Sequence, residues 1–336
     1  MIVKADKIHD KLISESQLKL KFREDVDFLT WQKQVKEKFI ELLGIKEIEK
    51  NACPLNFEIQ EEKDFEKYRR LRIVFESEKG MFIPTYLFIP KTGKKKYPLN
   101  IALMGHNEGG MLNTIGEGSG DQEEQYRKAH AIQAVENGYA ALAVELRGMG
   151  ELLPDGEKRM WGNMCKYTAF MAMAVGRTIL GERVWDVSRA IDVMEKFPEI
   201  DTDHIIINGG SGGGTASFYS ACYDERIKLS APLCSFCSYE KSIFAMYHCI
   251  CNLIPNIPQW FEMGDLAGLI APRKLLVFAG KTDEAFPIDG VNDAFNIAKS
   301  IYKKAGVEQN VKLVVMDCGH SWRPEYVWPN INEFDK

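Results

Sequence analysis

The sequence contains no apolar run long enough to cross a bilayer and no sustained basic region. Its N-terminal stretch, MIVKADKIHDKLISESQLKL, lacks the uninterrupted apolar core of a signal peptide. The one basic stretch is KTGKKK, in a chain of 336 residues with a net charge of -5 and a pI near 5.8. These absences predict a cytoplasmic protein that binds neither membranes nor nucleic acid, and they are compatible with a homo-oligomer.

The eight cysteines are predicted to be mostly reduced thiols, because disulfides are rare in the cytoplasm. Two groups could supply soft metal ligands: CSFC, with Cys234 and Cys237, and HCIC, with His248, Cys249 and Cys251. The spacing of these groups matches no standard zinc knuckle. Since free cysteine is among the most buried residue types, we predict small buried hydrophobic side chains, with no metal and no cofactor.

Five glycines surround one serine in the stretch IIINGGSGGGTASFY. A phosphate-binding P-loop is excluded because no lysine follows the last glycine. A dinucleotide fingerprint is excluded because its third position falls on Thr215 or Ser217. The pattern G-x-S-x-G fits residues 209–213, and it predicts that Ser211 lies on a sharp turn between a strand and a helix.

Strand and helix patterns alternate along most of the chain, which predicts the α/β class with a doubly wound, mostly parallel sheet. Two β-rich stretches, YRRLRIVFES and MFIPTYLFIP, predict an antiparallel hairpin at the sheet edge. The predicted strands after it are YPLNIALMGH, YAALAVELRG, HIIINGG, KLSAPLCSF, RKLLVFAG and VKLVVMDCG. Helical spacing predicts helices over 14–43, 121–137, 181–197 and 288–305.

Polar residues that can perform catalysis follow the last strands, where the carboxyl ends of a parallel sheet form ligand sites. Asp283 comes after LLVFAG and His320 after KLVVMD, so the chain order is Ser, Asp, His. A serine hydroxyl needs an imidazole to accept its proton, and the imidazole needs a carboxylate to fix its tautomer. We therefore predict that Ser211 attacks, His320 carries the proton and Asp283 orients His320, with Glu284 or Asp289 as alternative acids.

An oxyanion site is predicted beside the serine. One backbone N–H would come from Gly212, directly after the nucleophile, and another from the loop LMGHNEGG. In that loop the donor would be the N–H of His106 or, failing that, of Asn107. His106 could instead be a structural loop residue or a wall of the substrate pocket.

The motifs LMGHNEGG, ELRGMGE, GGSGGG, LIAPRKLLVFAGKTDEAFP and DCGHSW occur in this order over roughly residues 70–325. Together they resemble the acetyl xylan esterase and dienelactone-hydrolase-like branch of the α/β-hydrolases. RGMG is similar to the R-G-Q-G turn of cephalosporin-C deacetylases, and glucuronoyl esterases are a further relative. The resemblance implies an α/β-hydrolase fold and a serine hydrolase that cleaves carboxylic esters through an acyl-enzyme, with small-molecule or carbohydrate esters, acetylated ones included, as substrates.

The expected organisation is an N-terminal helical extension over 1–50 and an α/β-hydrolase catalytic domain over 51–336. A cap-like insertion is expected at 235–270, and the methionine-rich segment 159–178 is a second candidate wall of the pocket. Two other functions fit the same residues. One is a peptidase of the same fold, and the other is a catalytically silent binding protein built on the hydrolase fold.

Overall fold

The computed structural model of the chain describes residues 4–107, 109–154 and 165–336. Within these residues nine strands form one sheet in the order β1-β2-β3-β5-β4-β6-β7-β8-β9. The strands are β1 (Asn56–Asp64), β2 (Tyr68–Glu78), β3 (Met81–Pro90), β4 (Tyr97–Leu103), β5 (Ala140–Val144), β6 (Ile200–Gly210), β7 (Ile227–Leu233), β8 (Lys274–Gly280) and β9 (Val311–Met316). Neighbouring strands from β5 to β9 are parallel, which confirms the mostly parallel sheet.

The antiparallel edge of the sheet contains one predicted and one unpredicted feature. The hairpin is confirmed, since β2 and β3 pair antiparallel around a turn in which Gly80 has a φ of 82°. Its predicted place at the sheet edge is wrong, because β1 is the edge strand. Strand β1 adds to β2, although its sequence NFEIQEEKD is largely exposed. Only Phe57 and Ile59 alternate with polar residues in this solvated strand, and its second half, QEEKD, has no apolar residue, so the sequence carries little signal for it.

Twelve helices are present in the described ranges. They are α1 (Ala5–Ser14), α2 (Phe28–Leu43), α3 (Ile45–Glu49), α4 (Met111–Thr114), α5 (Gln122–Lys128), α6 (His130–Glu136), α7 (Lys166–Ala174), α8 (Ile179–Met194), α9 (Gly212–Tyr223), α10 (Met263–Leu266), α11 (Ile288–Lys304) and α12 (Pro324–Phe334). Helices α8 and α11 confirm the predictions at 181–197 and 288–305. Residues 159–164 of the second candidate wall, predicted over 159–178, lie outside the described residues.

The predicted helix over 121–137 is wrong as one continuous element. It breaks between α5 and α6 at Ala129, whose φ and ψ are -78° and 62°. The side-chain amide of Gln133 donates to the carbonyl oxygens of Tyr126 (2.6 Å) and Arg127 (3.3 Å), which lie at the end of α5. The side chain thus replaces the partners that a continuous helix would have provided from its own backbone.

The sheet separates two apolar cores, as a doubly wound fold requires. Strand β8 shows the alternation: Leu275 and Val277 point into one core, whereas Leu276 and Phe278 point into the other. Buried residues of α2, α8, α9 and α11 complete the first core. Those of α6 and α12 complete the second. The α/β-hydrolase fold class predicted from sequence is confirmed.

Helix α2 packs an apolar stripe against the helix that follows Ser211. Its buried residues recur every fourth position: Trp31, Val35, Phe39 and Leu43. Phe39 stacks on Tyr219 of α9, with ring centroids 5.8 Å apart, and Lys36 Nζ donates to the Cys222 carbonyl at 2.8 Å. Through these contacts α2 covers the face of α9 that points away from the sheet. The domain boundary at residue 50 stays a prediction.

The predicted helix over 14–43 is wrong in its first half. Helix α1 ends at Ser14, and α2 begins only at Phe28. Asp27 fixes this later start because its carboxylate accepts the Thr30 N–H at 2.9 Å, and Leu18 has a φ of 45° that no helix contains. No helix in the described part of the chain has both the length and the hydropathy needed to cross a membrane.

The first turn of α9 approaches the end of β4 too closely for side chains. A Cβ atom on Gly213 would lie against the Leu103 carbonyl group, 2.7 Å from its carbon. A Cβ on Gly210 would meet only the side chains of Leu233 and Trp322, both at 3.8 Å, which is ordinary contact. Gly210 can therefore be replaced by alanine without displacing its neighbours, whereas Gly213 cannot.

We expect Gly213→Ala to lower the free energy of unfolding by about 1–3 kcal/mol, because backbone must move to accommodate the methyl group. Gly210→Ala is the matched control and should unfold at the wild-type denaturant concentration. Urea titration followed by circular dichroism measures both. Equal stability of the two variants would contradict the close approach of α9 to β4.

Candidate active site

Ser211 lies at the turn between β6 and α9, where the sequence pattern placed it. Its φ and ψ are 54° and -123°, a conformation that residues with a side chain rarely adopt. The turn is held by its own backbone: the Ser211 N–H donates to the Leu233 carbonyl at 2.9 Å, and the Ser211 carbonyl accepts the Thr215 N–H at 2.8 Å. Backbone strain of this kind is found at sites where a side chain must be presented.

His320 and Asp283 are hydrogen-bonded, with 2.8 Å between Nδ1 and Oδ2. The Asp283 side chain is fully buried, whereas 38% of the His320 side chain is exposed. The other carboxylate oxygen, Oδ1, accepts the N–H groups of Ala285 (2.9 Å) and Phe286 (3.1 Å). Both oxygens are therefore occupied, so the carboxylate cannot rotate away from the imidazole.

The surroundings of Asp283 keep it ionised. Burial is the largest influence on its pKa and would raise it, but the hydrogen bond and charge of His320 and the Phe286 N–H together lower the pKa below its ordinary value. An ionised Asp283 accepts the Nδ1 proton of His320, which leaves Nε2 as the basic nitrogen. Glu284 and Asp289, the alternative acids, are both exposed, and no contact joins either of them to His320 in the described chain.

Ser211 and His320 line one cavity of about 210 Å³ at the carboxyl ends of the strands. Its walls are Met104, Gly105, His106, Asn107, Lys128, His130, Gly210, Leu233, Ser321 and Trp322. Two larger cavities, of about 480 and 390 Å³, lie beside α2 and beside α1. Neither is lined by Ser211 or His320, so the smaller cavity is the one where chemistry could occur.

The loop after β4 lies beside the serine, as the oxyanion prediction requires. The His106 ring packs against Gly212, where a Cβ atom would be only 2.7 Å from the ring carbon Cε1. Asn107 uses its side chain within the loop: Nδ2 donates to the Gly105 carbonyl at 2.8 Å, and Oδ1 accepts from Asn113 at 2.5 Å. The N–H of Gly212 is the first of α9 and has no acceptor within the helix.

One wall of the cavity was not recognised from sequence. The buried His130 ring stacks on Trp322 with centroids 3.7 Å apart, and burial lowers the pKa of His130 to about 3. Trp322 Nε1 donates to Gln133 at 3.0 Å, which fixes the indole. The sequence GHSW places Trp322 two residues after His320, which indicates that Trp322 can line the site. The position of His130 at the start of α6 gives no such indication.

The cysteine groups CSFC and HCIC separate in the fold. Cys234 lies beside Asp283 and His320, with their ligand atoms all within 4.8 Å of one another, and His248 contacts Ser242 Oγ at 3.2 Å. Cys249 and Cys251 instead lie beside His106 and Cys165, which are distant from them in sequence. The resulting set is called the thiol cluster below and consists of His106, Cys165, Cys249 and Cys251.

The thiol cluster is polar, whereas the sequence predicts cysteines that are small buried hydrophobic side chains. Hydrogen bonds from Cys249 and Cys251 lower the pKa of Cys165 against the effect of burial, and the charge of Arg183 acts in the same direction. Burial would lower the pKa of His106, but hydrogen bonds with Cys165 and Cys249 raise it to about 9. These thiols therefore interact with charges and not only with apolar neighbours.

The motif ELRGMGE packs beneath the loop that follows β4. Arg147 makes two 2.8 Å bonds to the Asp186 carboxylate and another of 2.8 Å to Glu78, all in the interior. Glu145 accepts the Met111 N–H at 3.2 Å, and burial raises the pKa of Glu145 to about 7. The Met149 methyl carbon lies 3.5 Å from the Cβ position of Gly212. This turn thereby packs directly behind the serine.

Comparison with known proteins identifies the class. A sequence model of the Abhydrolase family matches residues 2–227, and the chain belongs to this family. A Bacillus subtilis (strain 168) protein named "Putative hydrolase YtaP" is 25% identical over 242 residues, which are 70% of this chain and 77% of that protein.

Solved structures show the same fold. A Bacteroides fragilis protein described as a "putative acetyl xylan esterase" has a TM-score of 0.77 at 18% identity, covering 94% of this chain and 83% of its own. A glucuronoyl esterase from Solibacter usitatus has a TM-score of 0.69 at 16% identity, covering 96% and 98%. At these identities the likeness concerns the α/β-hydrolase fold.

We expect Asp283→Asn to lower kcat on the order of 10⁴-fold, because an amide cannot hold the Nδ1–H tautomer or balance an imidazolium. Glu284→Gln removes the neighbouring exposed carboxylate and should leave kcat unchanged. Steady-state kinetics on an activated ester measures both. A larger loss for Glu284→Gln than for Asp283→Asn would assign the acid to Glu284.

Proposed function

We propose that the protein is a serine hydrolase that cleaves carboxylic esters through an acyl-enzyme. The observation that carries the proposal is the 2.8 Å hydrogen bond between the buried Asp283 and His320, which lines the same cavity as Ser211. An imidazole oriented in this way can accept the serine proton, which is the requirement for attack at neutral pH. A catalytically silent relative has no chemical need for the three groups together.

The reaction would proceed in two halves. Ser211 Oγ attacks the ester carbonyl carbon while His320 Nε2 takes its proton, and the resulting oxyanion is held by the N–H of Gly212 and that of His106 or Asn107. The intermediate collapses, and the alcohol leaves with the proton from His320. Water then attacks the acyl-enzyme with His320 as base, which releases the carboxylic acid and restores Ser211.

The size and walls of the cavity support a small acyl group. A volume of about 210 Å³ is below the range of pockets that hold drug-sized ligands, and Met104, Leu233 and Trp322 supply apolar wall. The names of two of the structural neighbours denote esterases of carbohydrates. We therefore propose acetyl esters of carbohydrates or of small metabolites as substrates. Location in the cytoplasm and assembly into a homo-oligomer stay predictions.

We expect wild-type protein to hydrolyse p-nitrophenyl acetate and to lose activity as the acyl chain lengthens, because the cavity is small. Ser211→Ala should reduce kcat by 10⁴- to 10⁶-fold, on the order found when other serine hydrolases lose the nucleophile. The measurement is the release of p-nitrophenol across an acyl series, together with covalent labelling by a fluorophosphonate.

The matched control is Ser220→Ala. Ser220 lies on the same helix, α9, and its buried hydroxyl has no hydrogen-bond partner in the described chain, so its removal should change neither folding nor labelling. Full activity of Ser211→Ala would show that Ser211 is not the nucleophile. Labelling of wild type without turnover of any ester would direct the search to peptides, and neither labelling nor turnover would favour a silent binding protein.

A further inference from the structure

The thiol cluster is assembled from three distant parts of the chain. His106 comes from the loop after β4, Cys165 directly precedes α7, and Cys249 and Cys251 flank Ile250 in the segment after β7. Their four ligand atoms all lie within 4.8 Å of one another, and His106 Nε2 is 3.1 Å from Cys251 Sγ. Cys165 and Cys251 are buried. All the cysteines of the cluster are free thiols.

This ligand set has the composition of a tetrahedral zinc site, and its spacing is close to that of one. Three cysteines and one histidine are a common structural zinc set, with Zn–S near 2.3 Å and Zn–N near 2.0–2.1 Å. Ligand atoms at the corners of such a tetrahedron are about 3.5–3.8 Å apart. Side-chain adjustments of a few tenths of an ångström to about 1 Å would bring four atoms already within 4.8 Å to that geometry.

A buried positive charge beside the thiol cluster independently favours a metal site with thiolate ligands. Arg183 is almost fully buried, and its Nη2 donates to Cys165 Sγ at 3.0 Å. Its other hydrogen bonds go to the Arg147 carbonyl oxygen, at 3.0 Å from Nε and 2.6 Å from Nη2. Among the described residues no carboxylate forms an ion pair with Arg183, although such a buried charge needs a counter-charge.

We propose that His106 Nε2 and the Sγ atoms of Cys165, Cys249 and Cys251 bind one zinc ion, with Arg183 as the counter-charge. Three thiols lose their protons to solvent as the ion binds, and zinc stays divalent, so no electron is transferred. Three thiolates and Zn²⁺ have a net charge of -1, which the guanidinium of Arg183 neutralises. The hydrogen bond from Arg183 to a ligand sulfur is the outer-shell contact that such sites employ.

The site is structural, because four protein ligands leave no open position for water or substrate. Its consequence for activity rests on the proposed function. The metal would tie the oxyanion loop to the segment that carries Cys249 and Cys251, with the His106 ring held against Gly212. His106 would then be a positioning residue through its side chain, while its backbone N–H stays free to face the oxyanion.

The other group of potential ligands does not compete with this one. In the set of Cys234, Asp283 and His320, the carboxylate and the imidazole are already bonded to each other at 2.8 Å. A disulfide between two cysteines of the thiol cluster would remove thiolate charge and leave Arg183 without a counter-charge. Zinc is the occupant that employs all four ligand atoms and the guanidinium.

The first test is the metal content of protein purified without chelator and without a histidine tag. Inductively coupled plasma mass spectrometry should find close to one zinc per chain in the wild type and almost none in Cys249→Ser. Cys53→Ser is the matched control, since Cys53 lies outside the cluster against the Glu76 carbonyl, and it should retain the metal. Zinc retained at the wild-type level by Cys249→Ser would overturn the assignment.

The second test does not depend on a variant that folds. Wild-type protein freed of metal by a chelator is titrated with Co²⁺, which should produce thiolate-to-cobalt charge-transfer bands and the intense visible bands of tetrahedral cobalt, both removed by excess Zn²⁺. Absence of zinc after expression in zinc-supplemented medium together with absence of these bands would overturn the site. So would a disulfide among the three thiols in freshly purified protein. Ester hydrolysis is assayed separately, so zinc binding without turnover would contradict only the proposed function.

Discussion

The contact between the end of β4 and the first turn of α9 is the constraint on which the candidate site depends. Gly209 and Gly213 both face the Leu103 carbonyl, where any Cβ atom would overlap with backbone. This close approach lets the chain reverse sharply at Ser211 and brings the loop after β4 beside Gly212. The proposed nucleophile and the proposed oxyanion donors are thus two results of one packing requirement, since the same backbones that meet there supply the side chain and the N–H groups.

A chain of buried polar contacts extends this arrangement into the interior. Arg147 bonds to Asp186 and Glu78, and its carbonyl oxygen accepts from Arg183, whose guanidinium reaches Cys165. Groups of this kind are stable in a low-dielectric interior only when each has a partner, and removal of one leaves another uncompensated. The turn RGMG, Cys165 at the start of α7 and the loop after β4 are therefore coupled by charge as well as by packing.

The elements that sequence could predict are those whose signal is local. The strands before Ser211, Asp283 and His320 are short β-branched or apolar runs, so the positions of these three residues after strands can be predicted from the sequence, while their catalytic roles stay predictions. Strand β1 is a solvated edge, the break at Ala129 depends on hydrogen bonds of the Gln133 side chain, and the wall formed by His130 and Trp322 joins residues distant in sequence. The thiol cluster is the clearest example, because Cys165 precedes Cys249 by a long stretch of chain and no spacing rule connects them.

For His106 the structure shows a structural use of the ring that is compatible with the proposed use of the backbone N–H as an oxyanion donor. Its ring lies against Gly212 and reaches Cys251, which is a structural use of the side chain. Its N–H has no acceptor in the described chain and belongs to the loop that lines the cavity with Ser211. Because the His106 ring is anchored, the backbone of His106 has less freedom to move. An N–H donor that is fixed before the reaction begins does not have to be reoriented as the negative charge develops. An anchored ring is thus a reason for this loop to carry histidine where glycine or any small residue would have offered an equal N–H.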